Sequence, residues 1–282
     1  MASVPKKAAE RIAAGLKQFQ PILAAAKSRD VNESDTALLV TDMLQAIFGY
    51  DKYAEVTSEH MIRNTFCDLA IKLDGHLAVL IEVKAIGLEL KDQFVKQAVD
   101  YAANQGCEWV ALTSGTIWRV YRVTFGKPIE NELVVELDLL ALNHRNSEHI
   151  EQLSLLSKEG WQKARLGDYH AQRQALSRFT LGALILSEPV LDALRREVRR
   201  LSPEVRVESE GLIPVLRDEV LKRDVIEGDK ADEARRRVAR AASRSLKSRS
   251  REPAPTNDPE PAAPAAPPPA PGSPVTAANP TK

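Results

Sequence analysis

The stretch FCDLAIKLDGHLAVLIEVKA, residues 66–85, decides the fold. It contains two runs in which apolar residues recur at every second position, with Asp74 and Gly75 between them. This alternation predicts two β-strands, Phe66–Leu73 and Leu77–Ala85, joined as a hairpin. A three-residue turn over 74–76 is expected because Gly75 suits the left-handed position of such a turn.

The register of this hairpin follows from its apolar residues. A slip by one residue would move every side chain to the other face of the sheet, so the two apolar sets must be matched. Pairing Leu73 with Leu77 achieves this match. The same register places Asp68 directly opposite Glu82, with Lys84 two residues further along the same face.

Two carboxylates that face each other across a strand pair repel and destabilise the sheet. A divalent cation between Asp68 and Glu82 would explain them, since carboxylate oxygens, water and a substrate phosphate are the usual surroundings of Mg²⁺. Lys84 would add a cation that orients water or stabilises developing negative charge. The alternative is an exposed polar face, although Ala78 and Leu80 make this face partly apolar.

Three further residues are candidates for the same site. Glu33 lies in the first turn of a predicted helix whose apolar stripe should face the sheet, although the helix dipole also explains an acid there. Gln97 and Tyr101 share one face of the helix that follows Lys84, because they are four residues apart. They could also be boundary residues of an amphipathic helix.

The pattern around the hairpin predicts a mixed α/β fold with one sheet. Residues 5–28 form one helix, or two helices broken at Pro21. Asn32 is a good N-cap for a second helix that ends near Gly49. The elements expected beyond it are a weak strand at 53–58, the hairpin, a helix at 88–104, strands at 108–113 and 117–123, and a last edge strand at 133–137.

The segments FCDLAI, IEVKA and QAVDY resemble the ordered Asp, Glu-x-Lys and Gln-x-x-x-Tyr series of the PD-(D/E)xK nuclease superfamily. The upstream segment NESDTALLVTDMLQAIFGYD is similar to the opening helix of the N-terminal nuclease domain of type I restriction enzyme R subunits. The resemblance covers roughly residues 30–143. It implies a restriction-endonuclease-like sheet flanked by helices, in the order α-β-β-β-α-β.

The resemblance also implies roles for the candidate residues. Asp68 and Glu82 match the metal-binding acids, Lys84 matches the catalytic lysine and Glu33 matches the helical acid. The backbone carbonyl of Val83 would be an additional ligand of Mg²⁺ (or Mn²⁺). Gln97 and Tyr101 match the pair that steadies the substrate side of the site. The implied reaction is hydrolysis of a DNA phosphodiester to a 5′-phosphate and a 3′-hydroxyl.

Two observations weigh against simple membership of a restriction system. The chain has no G-x-x-x-x-G-K-[ST] loop, so we expect neither ATP binding nor an attached motor. Residues 1–143 carry 15 Lys and Arg against 19 Asp and Glu, whereas a DNA-cleaving surface should be basic around its acidic centre. The competing hypothesis is therefore a non-catalytic scaffold that keeps the nuclease fold and binds nucleic acid or a protein partner.

The second half of the chain is predicted to be helical over 144–250, after an N-terminal helical extension (1–29) and the nuclease-like domain (30–143). It could contact a protein partner or a second copy of the chain. Its basic stretch could bind phosphates, or could be a solvated helix end; it includes Arg235, Arg236, Arg237, Arg240 and Arg244. Residues 251–282 are rich in Pro and Ala and are expected to be disordered.

Composition excludes several other classes of protein. No run of eighteen apolar residues is present, and the N-terminus lacks the apolar core of a secretory signal, so we expect no membrane partner. Cys67 and Cys107 form neither a disulfide framework nor a zinc spacing, and a cytoplasmic location follows by default. The three tryptophans are too scattered in sequence for a base-stacking platform and are expected in the core, while the five histidines are expected at the surface or in turns.

Overall fold

The computed structural model describes residues 4–62 and 65–249, and it describes residues 59–62, 65–66 and 244–249 by their backbone alone. The Pro- and Ala-rich segment 251–282, for which the sequence predicts disorder, lies outside the described residues.

The chain divides into two compact units between Leu181 and Gly182. The sequence places a division earlier, at 143/144, where the sheet ends. The later position has a physical reason, because helices that follow the sheet contribute Ile150, Leu153 and Leu166 to the core beneath the sheet. We call the described residues up to 181 the sheet unit and those from 182 onward the helical unit.

Two helices precede the sheet. Helix α1, Lys6–Ser28, is continuous and contains Pro21, so the chain forms one helix here and not two. Helix α2, Glu33–Ala46, begins after Asn32, whose side chain accepts a hydrogen bond from the backbone N–H of Asp35 at 2.9 Å. The predicted N-cap is therefore confirmed.

Six strands and one helix follow. They are β1 (Val56–Ile62), β2 (Thr65–Leu73), β3 (His76–Val83), α3 (Asp92–Gln105), β4 (Trp109–Thr113), β5 (Ile117–Thr124) and β6 (Glu130–Asp138). The strands form one sheet in the spatial order β1-β2-β3-β4-β5-β6. All neighbouring strands are antiparallel except β3 and β4, which are parallel because helix α3 crosses between them. The predicted mixed α/β architecture is confirmed.

The turn between β2 and β3 differs from the prediction. Leu73 pairs with His76, so the turn has two residues and not three, and the predicted pairing of Leu73 with Leu77 is wrong. Asp74 and Gly75 both have positive φ, 50° and 79°. An Asp-Gly pair is favoured in two-residue turns that need both central residues in this conformation.

A β-bulge between Ile71 and Lys72 restores the predicted register beyond the turn. Leu69 then pairs with Ile81, as the apolar pattern requires. Extending this pairing by one residue places Asp68 opposite Glu82. The bulge thus corrects the shift that the shorter turn introduces.

The sheet has a separate apolar core on each face. One core packs side chains of α1 and α2 against Leu69, Ile71 and Ile81, among others. The other packs α3 against Ala70 and Leu80. Because successive residues of a strand point to opposite faces, Asp68 and Glu82 belong to the α3 face.

All the remaining elements in the described part of the chain are helical, and most of them are short. No helix within 4–62 or 65–249 is long and apolar enough to cross a membrane. The helices are α4 (Ser147–Ser154), α5 (Lys158–Gln162), α6 (Arg165–Ala175), α7 (Arg178–Ile185), α8 (Glu188–Leu201), α9 (Ser209–Val215), a π-helical turn (Leu216–Val220), α10 (Arg223–Ile226) and α11 (Asp229–Arg249).

Candidate metal centre

The candidate centre lies where β3 ends and α2 begins. The fold brings Asp68, Glu82, Lys84 and Glu33 together there, as the sequence predicts. Lys84 follows directly after β3, and its backbone N–H donates to the carbonyl of Thr113 at 2.8 Å. This bond fixes the chain at the point where the lysine side chain leaves the sheet.

Glu82 is the buried acid of the group, with 3% of its surface exposed. Its Oε1 accepts a hydrogen bond from Nζ of Lys84 at 2.8 Å. Its Oε2 is buried and has no hydrogen-bond partner among the described residues. Burial raises the pKa of Glu82; the hydrogen bond from Lys84 opposes this rise, and the charge of Asp68 adds to it.

Lys84 lies between two acids and is itself 12% exposed. Its Nζ is 3.5 Å from Oε2 of Glu33 and lies 5.6 Å from the centroid of the Phe94 ring. Burial lowers the pKa of Lys84, but the hydrogen bond to Glu82 and the surrounding acids outweigh burial, so its pKa is raised. The ammonium is therefore held in its charged form.

Asp68 reaches across from β2 to the end of β3. Its Oδ2 accepts a hydrogen bond from the backbone N–H of Val83 at 2.7 Å. Val83 is buried and is the last residue of β3. The bond fixes the Asp68 carboxylate beside Val83, the residue whose carbonyl the resemblance implies as a metal ligand.

Glu33 contacts the centre through Lys84. It stands in the first turn of α2, and its side chain is 49% exposed. Its position beside Nζ of Lys84 therefore favours holding the lysine, while its exposed half is open to solvent. The helix-dipole explanation and a role at the site are compatible, because one carboxylate can serve both.

Gln97 and Tyr101 contact each other on α3, with Nε2 of Gln97 donating to the Tyr101 hydroxyl at 3.3 Å. Gln97 is exposed, whereas Tyr101 is buried in the apolar core of the α3 face. Within the described part of the chain, neither makes a hydrogen bond or ion pair with Asp68, Glu82 or Lys84. The structure thus places them on the expected helix without joining them to the acids.

The candidate phosphate-binding arginines belong to α11 in the helical unit. Arg235 donates to the carbonyl of Ile226 at 2.7 Å and pairs with Asp232, so its charge is partly neutralised within the protein. Arg236 and Arg240 are exposed, and Arg237 is half-buried. The side chain of Arg244 lies outside the described residues.

Sequence reasoning missed Phe94, which supplies an aromatic surface beside Lys84. Only its place in the first turn of α3, ten residues after the lysine, could have indicated this contact. Among the residues described, no group of three or more His, Cys, Asp and Glu side chains is arranged to hold a metal. Asp68 and Glu82 would therefore supply two carboxylates, and backbone, water or substrate oxygens would have to complete a Mg²⁺ site.

The residues present fit a hard divalent cation by their chemistry. Two neighbouring carboxylates form an acidic spot at a strand end, and one of them has a buried oxygen that lacks a hydrogen-bond partner among the residues described. Comparisons with protein-family models, with curated proteins and with solved structures returned no match to this chain. The geometry of this centre is therefore the basis for a functional hypothesis.

Proposed function

We propose that the chain is a Mg²⁺-dependent nuclease that hydrolyses DNA phosphodiester bonds. In this proposal α2 to β6 form a restriction-endonuclease-like core, a stand-alone relative of the type I R-subunit nuclease domain. The single observation that carries the proposal is Oε2 of Glu82. It is buried beside Asp68 and Lys84 and has no hydrogen-bond partner within residues 4–62 and 65–249.

A buried polar atom without a partner costs about 1–3 kcal/mol. Glu82 has no obvious role in packing that would offset this cost, since Ala70 and Leu80 already form the core of its face. Protonation would not resolve the problem, because a hydroxyl at Oε2 would equally need an acceptor. A bound cation would resolve it, and cations are the usual companions of buried carboxylates.

In this proposal Asp68, Glu82 and the Val83 carbonyl would hold Mg²⁺. When bound, the ion would supply Lewis acidity and lower the pKa of a coordinated water. Lys84 would orient the attacking water or stabilise charge on the phosphate, and its raised pKa keeps it positive for that role. Glu33 would hold the Lys84 ammonium from the side opposite Glu82.

Substrate contacts are assigned by chemistry alone. Gln97 is exposed on α3, where it could donate to a phosphate or a base, and Tyr101 would support it from below. Arg236 and Arg240 would add non-specific attraction to the DNA backbone, which falls steeply as salt rises. ATP and membranes have no place in this proposal.

The competing function is a scaffold that binds nucleic acid or a protein without turnover. The excess of acids over bases in residues 1–143 favours it, because DNA is repelled by a negative surface. A metal-binding but inactive protein would satisfy this alternative. Cleavage assays separate the two.

The test is cleavage of supercoiled and linear DNA by the full chain with Mg²⁺ or Mn²⁺, and with EDTA as the blank. We expect Asp68→Ala and Lys84→Ala each to lower the cleavage rate about a hundred-fold or more, as loss of a charge-stabilising group does in other enzymes. Lys96→Ala is the matched control, since Lys96 is an exposed lysine on α3. Absence of cleavage by the wild-type chain, or full activity of Lys84→Ala, would contradict the enzyme proposal.

A further inference from the structure

A cavity in the sheet unit lies at the opposite end of the strands from the candidate metal centre. It has a volume of about 330 Å³, and its walls include Glu108, Trp109, Arg122, Trp161 and Gly167. Ala78 of β3 also lines it, four residues before Glu82, which corresponds to about 13 Å along the strand. The two sites are therefore separate.

Two indole rings form the apolar walls of this cavity. Trp109 and Trp161 are half-buried and meet edge to face, with centroids 5.8 Å apart and planes at 88°. The sequence predicts all three tryptophans in the core; Trp118 is 2% exposed, whereas these two pack against the core with part of each ring left accessible. Residues 52 positions apart in sequence meet here because α5 packs beside the start of β4.

A chain of polar contacts holds the Trp109 wall in place. Arg122 is the cross-strand partner of Trp109, and its guanidinium carbon lies 5.7 Å from the centroid of the indole. Arg122 also lies 3.3 Å from Nδ1 of His170, whose Nε2 is 2.8 Å from a carboxylate oxygen of Glu132. His170 is buried, contrary to the surface position expected from the sequence. The wall is thus organised before any ligand arrives.

The polar rim of the cavity offers both donors and an acceptor. Arg122 presents guanidinium N–H groups, and Oε2 of Glu108 lies 3.5 Å from its NH2. The Glu108 side chain is 54% exposed, so it can turn toward a ligand. A guanidinium beside a carboxylate complements a flat molecule that carries an acceptor next to donors along one edge.

These walls discriminate between ligand classes. A cation such as a methylated ammonium is disfavoured, because the positive charge of the Arg122 guanidinium beside the Trp109 ring repels it. An aliphatic ligand would bury the polar rim without hydrogen bonds, which costs free energy. A planar heteroaromatic ring suits both the indole walls and the polar rim, since it can stack on indole and form hydrogen bonds to the rim along its edge.

We propose that this cavity binds a single unpaired guanine base. Guanine O6 accepts from Arg122, while its N1–H and amino group donate to the Glu108 carboxylate, and the purine ring lies against the indoles of Trp109 and Trp161. The base can come from a free nucleotide or from an unpaired position of a DNA strand. The inference is independent of metal binding at Glu82.

The test is quenching of tryptophan fluorescence in the full chain, in EDTA, by guanosine 5′-monophosphate. Trp118 is buried in the core, so a ligand-dependent change reports on Trp109 and Trp161. We expect saturable quenching that Glu108→Gln weakens about ten-fold, the loss expected when a charge-assisted hydrogen bond is removed. Glu130→Gln, which alters an exposed acid on β6, is the matched control and should bind as the wild type does.

Two further arms identify the source and the class of the ligand. An oligothymidylate carrying one central guanine should bind more tightly than the free nucleotide if the base belongs to a DNA strand, and more weakly if the ligand is a free nucleotide. Adenosine 5′-monophosphate should quench less than its guanosine counterpart. Absence of saturable quenching by both guanine probes, unchanged affinity in Glu108→Gln, or preferential binding of tetramethylammonium would overturn the proposal.

The outcome is separable from that of the proposed nuclease function. Glu82→Gln should leave the quenching intact, because Glu82 does not line this cavity. A protein that fails to cleave DNA can therefore still bind guanine, and the converse also holds.

Discussion

Two carboxylates in the sheet unit, Glu82 and Glu159, are placed in opposite ways by the same fold. Glu159 on α5 is fully engaged, because NH1 and NH2 of Arg11 donate to its two oxygens at 2.8 Å each. In the part of the chain that the structure describes, one oxygen of Glu82 accepts a hydrogen bond from Lys84 and the other is buried without a partner. Both oxygens of Glu159 therefore accept hydrogen bonds, whereas, among the described residues, only one oxygen of Glu82 does.

Arg11 is a charged residue that stabilises the fold of the sheet unit. Besides Glu159, it donates to the carbonyls of Ile47 and Phe48 at 3.2 Å, and so ties α1 to the end of α2 and to α5. The hydrogen bond from Arg11 lowers the pKa of Glu159. The pKa of Glu82 is raised instead, chiefly by burial. The difference indicates that Glu159 stabilises the fold, and it supports the proposed role of Glu82 in binding a metal.

The largest effect that separates the two acids should be on cleavage. We expect Glu82→Gln to lower the rate of Mg²⁺-dependent DNA cleavage about a hundred-fold or more, because a metal-binding charge is removed. Glu159→Gln should leave the rate within about two-fold, since its partners are far from the acids of the centre. Equal losses in the two variants, measured side by side on one DNA, would abolish the distinction.

The next effect should be on stability and should have the opposite order. Arg11→Met should lower the free energy of unfolding by about 2 kcal/mol, because two carbonyls and a carboxylate lose charged donors. Solvent screening limits this loss, since Arg11 and Glu159 are each about 30% exposed. Glu82→Gln should cost less, because Lys84 keeps Glu33 as a partner and a buried charge with an unpaired oxygen is removed. Urea unfolding in EDTA measures both, and a larger loss in Glu82→Gln would reverse the interpretation.

The smallest effect that we expect is on the slope of stability with pH, measured in EDTA. An ordinary glutamate titrates near about 4.3. Because the pKa of Glu82 is raised in the folded protein, its contribution is present at acid pH and is lost as pH rises above that value. Because the pKa of Glu159 is lowered, its contribution is present above that value and is lost as pH falls below it.

Matched substitutions make these slopes visible. The stability of Glu82→Gln relative to wild type should improve as pH rises above about 4.3. The stability of Glu159→Gln relative to wild type should fall as pH rises to about 4.3 and should then remain constant at higher pH. Parallel curves for the two variants would show that burial and pairing do not distinguish these acids.

The sequence predicted the site better than it predicted the hairpin that carries it. Apolar alternation taken together with a short turn predicted Asp68 opposite Glu82, and the observed pairing of Leu69 with Ile81 agrees with that register. It could not reveal that the turn has two residues, since the compensating bulge at Ile71–Lys72 leaves no trace in the alternation of hydrophobic residues beyond it. Two errors in the local geometry cancelled at the site.

Features that depend on tertiary contacts could not be predicted. The lack of a partner for Oε2 of Glu82 is a property of the packed environment and not of any spacing. The meeting of Trp109 with Trp161 depends on where α5 packs, and the continuity of α1 through Pro21 depends on its packing against the sheet, which overrides local preference. The Asn32 cap was predictable because its hydrogen bond is local.

The most direct measurement is a calorimetric titration of the full chain with Mn²⁺, with Glu82→Gln and Glu159→Gln in parallel. The account predicts saturable binding by the wild-type chain and by Glu159→Gln, and loss of that binding in Glu82→Gln. If the wild-type chain binds no Mn²⁺, or if Glu82→Gln binds it equally well, the buried oxygen of Glu82 is not a metal ligand and the proposed catalytic centre is wrong.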